Sequence, residues 1–261
     1  MISSSFLTIA LSGLSLLNFS LASSHFNNDD SFCHGLDDHP DRMISFPGWN
    51  QPLPSRIYSG YLDYEFEGEN VHTHYILIQA EELEEEEDVE EKPLIDWSNG
   101  GPGASSMFGL LTELGPLLLN DDSLSTMEYK KTGIPTPIYN PYSWTRLGSI
   151  LLFDQPAPVG FSYCGEETKS ENCGSIKWTD ELASKNAYTA LQAFYETKFP
   201  CYKSKDLFLT GESYGGIYIP TLAREILNDQ DKNGIRLKGF AVGDGCLGTE
   251  TSVCGDLSSV G

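Results

Sequence analysis

Short apolar runs punctuate the chain: Leu94-Ile95-Asp96-Trp97, Ile150-Leu151-Leu152-Phe153, Leu207-Phe208-Leu209 and Leu237-Lys238-Gly239-Phe240-Ala241-Val242. Runs of this length predict buried parallel strands. Helical patterns lie between them. The clearest opens at Thr179, a side chain able to cap a helix, and carries Asp180 and Glu181 in its first turn. Ala183, Ala187, Leu191 and Phe194 then share one face until Pro200 stops the pattern. Strands alternating with helices imply an α/β fold with a doubly wound, mostly parallel sheet and helices on both faces. Nearer the start, Tyr58–Tyr64 and His74–Gln79 predict an edge hairpin turning at Gly68-Glu69-Asn70.

The ends and the charge refine this picture. Residues 1–22 hold no charged side chain and carry a Leu-, Ile- and Phe-rich run before small residues, which predicts a secretory signal peptide; a membrane anchor is the alternative. Residues 23–261 are then one domain. Within it, nine of the eleven residues from Glu81 to Glu91 are acidic, so 81–92 is expected to be a solvated surface loop. The net charge of −22 repels phosphate backbones and anionic membrane surfaces, so neither nucleic acid nor membrane is an expected partner after signal removal. Six cysteines in a secreted chain suggest disulfides, with Cys164–Cys173 and Cys246–Cys254 as local pairs. No C-x-x-C spacing occurs, and no metal or other cofactor is expected.

The chemistry concentrates at Gly211-Glu212-Ser213-Tyr214-Gly215-Gly216, between the run Leu207–Leu209 and a helical pattern starting near Ile217. That is a G-x-S-x-G turn from strand to helix, which strains the serine backbone and presents its hydroxyl. Ser213 is the candidate nucleophile. Trp97-Ser98-Asn99-Gly100-Gly101-Pro102-Gly103 leaves another strand and exposes main-chain N–H groups that side chains cannot obstruct. The N–H groups of Gly101 and Tyr214 are therefore the candidate oxyanion donors. A base is needed as well, and all five histidines precede Ser213.

Several segments together resemble the serine carboxypeptidases of the α/β-hydrolase superfamily, particularly the carboxypeptidase Y-like branch. Trp97–Ser106 is similar to W-x-N-G-G-P-G-C-S-S, and Glu113-Leu114-Gly115-Pro116 to the E-x-G-P after it. Asn140–Trp144, Asp154-Gln155-Pro156, Val159–Tyr163, the turn at Ser213 and Gly239–Gly243 correspond in order. The resemblance implies that Trp97, Asn99, Glu113 and Glu212 hold the free carboxylate of a peptide's last residue, and that Phe108 and Thr112 shape the pocket for the leaving residue. It implies peptide or protein C-termini as substrates and release of the terminal residue through an acyl-enzyme on Ser213. Two carboxyls beside a substrate carboxylate cannot all ionise, so acidic pH should favour binding.

Ala104 departs from the family, standing where a disulfide-forming cysteine is usual. The family's catalytic Asp and His lie well after the nucleophile, whereas 48 residues follow Ser213 here and none is histidine. The expectation is a fragment or mis-terminated enzyme, inactive as it stands. An inactive binder of peptide C-termini and an acyltransferase of the same family are the alternatives. The expected location is the secretory pathway, ending outside the cell or in a lysosome or vacuole.

Overall fold

The structure is a computed structural model that describes residues 36–82, 92–165, 173–174, 176–246 and 248. The expected signal peptide, residues 83–91 of the acidic run and Cys254 lie outside them. The strands are β1 (Arg42–Met43), β2 (Ile57–Phe66), β3 (Glu69–Ile78), β4 (Leu94–Ser98), β5 (Leu117–Leu118), β6 (Ile138–Tyr139), β7 (Ser149–Phe153), β8 (Tyr163–Cys164), β9 (Asp206–Glu212) and β10 (Arg236–Gly243). The helices are α1 (Met107–Gly109), prolonged by a wider turn over Leu110–Leu114, then α2 (Asp121–Ser125), α3 (Met127–Thr132), α4 (Asp180–Ala193), α5 (Gly215–Asn228) and α6 (Gln230–Asn233).

One sheet runs β1-β2-β3-β7-β4-β9-β10, with β8 also on β3, while β5 and β6 pair separately. Its β1-β2-β3-β7 part is antiparallel and its β7-β4-β9-β10 part parallel. Every residue of β4 and β7 is buried because both faces are covered. On one face Leu94, Leu151 and Leu209 pack with Leu191 of α4 and Ile219 and Leu222 of α5. On the other, Trp97, Ile150 and Leu152 meet Leu110 and Leu114. Thr179 caps α4 as expected, its hydroxyl accepting from Leu182 N at 3.2 Å.

Four local expectations are corrected. The hairpin turns on Glu67 and Gly68, both in the left-handed region at φ 51° and 79°, so β2 and β3 are longer than expected. Nor is it the sheet edge, since β1 lies outside β2. β10 is mostly exposed instead of buried, for among the described residues only β9 flanks it. Glu81 does not belong to a solvated loop: it is buried, and its carboxylate accepts from Thr145 Oγ1 at 2.6 Å and Tyr139 Oη at 3.0 Å. Those two donors come from segments more than fifty residues away. The Cys164–Cys173 disulfide is present, and Cys201 and Cys246 are also disulfide-bonded. Among the described residues no helix is long and apolar enough to cross a membrane.

Candidate active site

β9 delivers Glu212 at its end, the chain turns through Ser213, and α5 starts two residues later. Ser213 sits at φ 53°, left-handed backbone that a non-glycine residue adopts at a cost. Its main chain is held on both sides: Ser213 N donates to Gly243 O at 3.0 Å, and Ser213 O accepts from Cys246 N at 2.7 Å. Glycine on either flank is required by contact. A Cβ on Gly211 would stand 2.5 Å from Ser98 O, and one on Gly216 would stand 2.1 Å from Cys246 O. The Ser213 side chain remains exposed at the surface.

The loop after β4 approaches the same turn. A Cβ on Gly100 would lie 2.5 Å from Tyr214 N and 2.8 Å from the Ser213 Cβ, so main chain meets main chain there. The next residue, Gly101, has φ 115°. Among the described backbone hydrogen bonds neither Gly101 N–H nor Tyr214 N–H is engaged. Both are available to a negative oxygen beside Ser213. The Tyr214 hydroxyl donates to Asp180 Oδ1 at 3.0 Å, and burial, reinforced by that carboxylate, pushes its pKa up to about 12.

Asn99 knits the third part of the site. Its Oδ1 accepts from Trp97 Nε1 at 2.8 Å and from Gly109 N at 3.0 Å, while its Nδ2 donates to Glu212 Oε1 at 2.8 Å. Gly109 is needed for this closeness, because a Cβ there would lie 2.4 Å from Trp97 Nε1. Glu113, on the turn after α1, is mostly exposed, yet partial burial and repulsion from Glu212 raise its pKa above the ordinary carboxylate value. Asn140 holds that turn, donating to Gly115 O at 2.9 Å.

Trp97, Asn99, Glu212, Gly101, Ser213 and Tyr214 thus converge, and Glu113 faces Glu212 electrostatically. Phe108 and Thr112 project outward on the helix that carries Gly109, and the Thr112 hydroxyl donates to Phe108 O at 2.8 Å. The described histidines are engaged elsewhere: His39 stacks on Phe199, His72 contacts Asp63, and His74 contacts Asp154. Among the described residues no cluster of three or more metal-ligating side chains occurs.

The model of the serine carboxypeptidase family matches residues 47–258. The chain belongs to the serine carboxypeptidase family. A lysosomal protective protein of Mus musculus is 40% identical over 210 residues, covering 80% of this chain and 38% of that protein. The serine carboxypeptidase ctsa-4.1 of Caenorhabditis elegans is 38% identical over 207 residues, covering 79% and 38%. Kex1Δp, a prohormone-processing carboxypeptidase of Saccharomyces cerevisiae, aligns with a TM-score of 0.59 and 29% identity over 74% of this chain and 39% of its own. This serine carboxypeptidase chain therefore spans less than half the length of these relatives. Its sheet is that of the α/β hydrolases.

Supporting residues escaped the sequence reading. Tyr218 Oη accepts from Gly103 N at 3.2 Å, Ser106 Oγ accepts from Asn99 N at 3.3 Å, and the Ser105 hydroxyl donates to Asp154. Together they tie the glycine loop to α5, to its own following residues and to the end of β7. Asp154-Gln155-Pro156 was visible as a motif, but a polar residue next to a buried run does not announce its partners.

Proposed function

We propose that this chain carries the substrate-recognition and nucleophile half of a serine carboxypeptidase acting on peptide C-termini. The observation that carries the reading is Asn99, which links the indole of Trp97 to the carboxylate of Glu212 in the residue before Ser213. A peptide whose terminal carboxylate accepts hydrogen bonds from this cluster would present its last amide carbonyl to Ser213. The Ser213 oxygen attacks that carbonyl, the Gly101 and Tyr214 N–H groups hold the resulting oxyanion, and collapse expels the terminal amino acid. Water then releases the remaining peptide from Ser213. The family supplies the general base as a histidine beyond the nucleophile turn; His39, His72 and His74 are committed to other partners.

Discrimination against internal peptide bonds follows from the same cluster. An internal bond offers no terminal carboxylate, and the polar groups it should engage would be desolvated without a partner. The raised proton affinity of Glu113 supports a protonated carboxyl that donates to the substrate carboxylate in acid. An acidic compartment of the secretory pathway suits that chemistry, and a lysosomal protective protein is among the relatives.

Calorimetry with a short peptide and its C-terminal amide tests the reading on the chain itself. The free acid is expected to bind at least tenfold more tightly at acidic pH. Equal affinity for acid and amide would remove the carboxylate cluster from the mechanism.

A further inference from the structure

A different serine is joined to a histidine and an aspartate. Ser59 Oγ lies 2.9 Å from His74 Nε2, and His74 Nδ1 lies 3.0 Å from Asp154 Oδ2. The arrangement is built across three strands. β2 and β3 pair with Tyr61 opposite His74 and Ser59 opposite Ile76, which puts Ser59 and His74 diagonally on one face. Asp154 directly follows β7, and its N–H donates to His74 O at 3.0 Å, fixing the carboxylate beside the ring.

Asp154 is completely buried and collects three donors: the His74 ring, Phe161 N at 3.1 Å, and the Ser105 hydroxyl. A carboxylate so engaged acts only as an acceptor, so the hydrogen of the His74 ring resides on Nδ1. That leaves Nε2 to accept from the Ser59 hydroxyl. Phe161 packs edge-on against His74 at 5.1 Å between centroids, and Tyr61 flanks it at 5.7 Å, so the ring cannot turn away. Gly160 permits the approach, because a Cβ there would stand 2.3 Å from the Asp154 carboxylate.

The Ser59–His74 pair opens into a cavity of about 260 Å³ walled by Met43, Ile57, Met107 and Leu110. A carboxylate-oriented imidazole bonded to a serine at the polar end of an apolar cavity has the parts of an activated nucleophile. We propose that Ser59, with His74 as base and Asp154 as positioning residue, is a second nucleophilic site that accepts small apolar acyl groups from activated esters. Ser59 Oγ attacks the ester carbonyl, its proton passes to His74 Nε2, and the ester C–O bond breaks. The departing phenolate takes that proton, leaving an acyl-Ser59 ester. Ser59 N–H is committed to Asp41 O at 2.9 Å and cannot serve as an oxyanion donor, which restricts the substrates to esters with stable leaving groups.

This site is independent of Ser213 and of the proposed carboxypeptidase chemistry. The test incubates the full chain with p-nitrophenyl butyrate, following nitrophenolate release and mapping the adduct by peptide mass spectrometry. Wild type and Ser213→Ala are expected to give the same stoichiometric burst, with the butyryl group on the peptide containing Ser59. Ser59→Ala, which removes only a hydroxyl, is expected to lose it. His74→Gln should slow the burst at least a hundredfold while circular dichroism stays native. An adduct confined to Ser213, no adduct, or acylation of Ser59 no faster than in the urea-unfolded chain would overturn the proposal.

Discussion

Asn99 and Glu212 are 113 residues apart in sequence and share a 2.8 Å hydrogen bond, the amide of the first donating to the carboxylate of the second. The bond fixes Glu212 Oε1 against the Asn99 amide. Asn99→Asp keeps the acceptor used by Trp97 and Gly109 but replaces the donor with a second negative charge. Affinity for peptide acids is expected to fall by roughly 1–3 kcal/mol, about five- to 150-fold. Calorimetry checks it, and unchanged affinity would separate Asn99 from binding.

The proposed role of Glu113 predicts a pH dependence of that binding. Its pKa is raised by partial burial and by Glu212, so the protonated form, the one proposed to donate to a substrate carboxylate, persists to higher pH than for a free glutamate. Peptide-acid affinity is therefore expected to be highest below the Glu113 pKa and to decline as pH rises through it. Glu113→Gln, neutral at every pH, should flatten the profile, which titrations across the acidic range will read.

Asp96 sets a second pH dependence, this one of stability. It is buried on the central strand β4, both side-chain oxygens lack a hydrogen-bond partner among the described residues, and burial pushes its pKa up to about 7 from 3.8. In the unfolded chain the carboxyl ionises near pH 4, whereas in the fold it stays protonated to near neutrality. The fold thus binds the extra proton, and stability falls as pH rises between these values, by up to about 4 kcal/mol. Asp96→Asn should remove that slope in urea unfolding series and raise stability at neutral pH. A slope identical to wild type would refute the assignment.

The backbone at Ser213 stores strain. At φ 53° glycine is comfortable and alanine is not, so Ser213→Gly is expected to gain about 1 kcal/mol of stability and Ser213→Ala nothing comparable. Thermal unfolding of the two variants compares them directly. Equal melting temperatures would show that surrounding contacts, not the dihedral, set the energy.

Gly100 tests the contact between loop and turn. Gly100→Ala would place its Cβ against Tyr214 N, which forces the loop after β4 away from Ser213. Because the clash is with backbone, no rotamer relieves it. Peptide binding should weaken at least tenfold, with far-ultraviolet circular dichroism unchanged.

Much of this protein is local information. The buried runs at β4, β7 and β9, the Thr179 cap and the glycine-flanked turn at Ser213 each depend on residues a few positions apart, and each was legible in the chain. So was the family, because its motifs are short and ordered. The residues proposed to hold a terminal carboxylate were named through resemblance alone.

Tertiary structure alone decided the rest. Nothing adjacent to Glu81 reveals that Thr145 and Tyr139 return to hydrogen-bond it, so its acidic neighbours made it look solvated. Burial of β10 could not be read from its apolar residues, because burial depends on which elements flank a strand. Ser59, His74 and Asp154 are brought together by pairing across the sheet, where one strand's register decides which side chains share a face. Local patterns fix what each segment is. Partners distant in sequence fix which polar groups lose water, and with that loss the proton affinities and reactivity of the site.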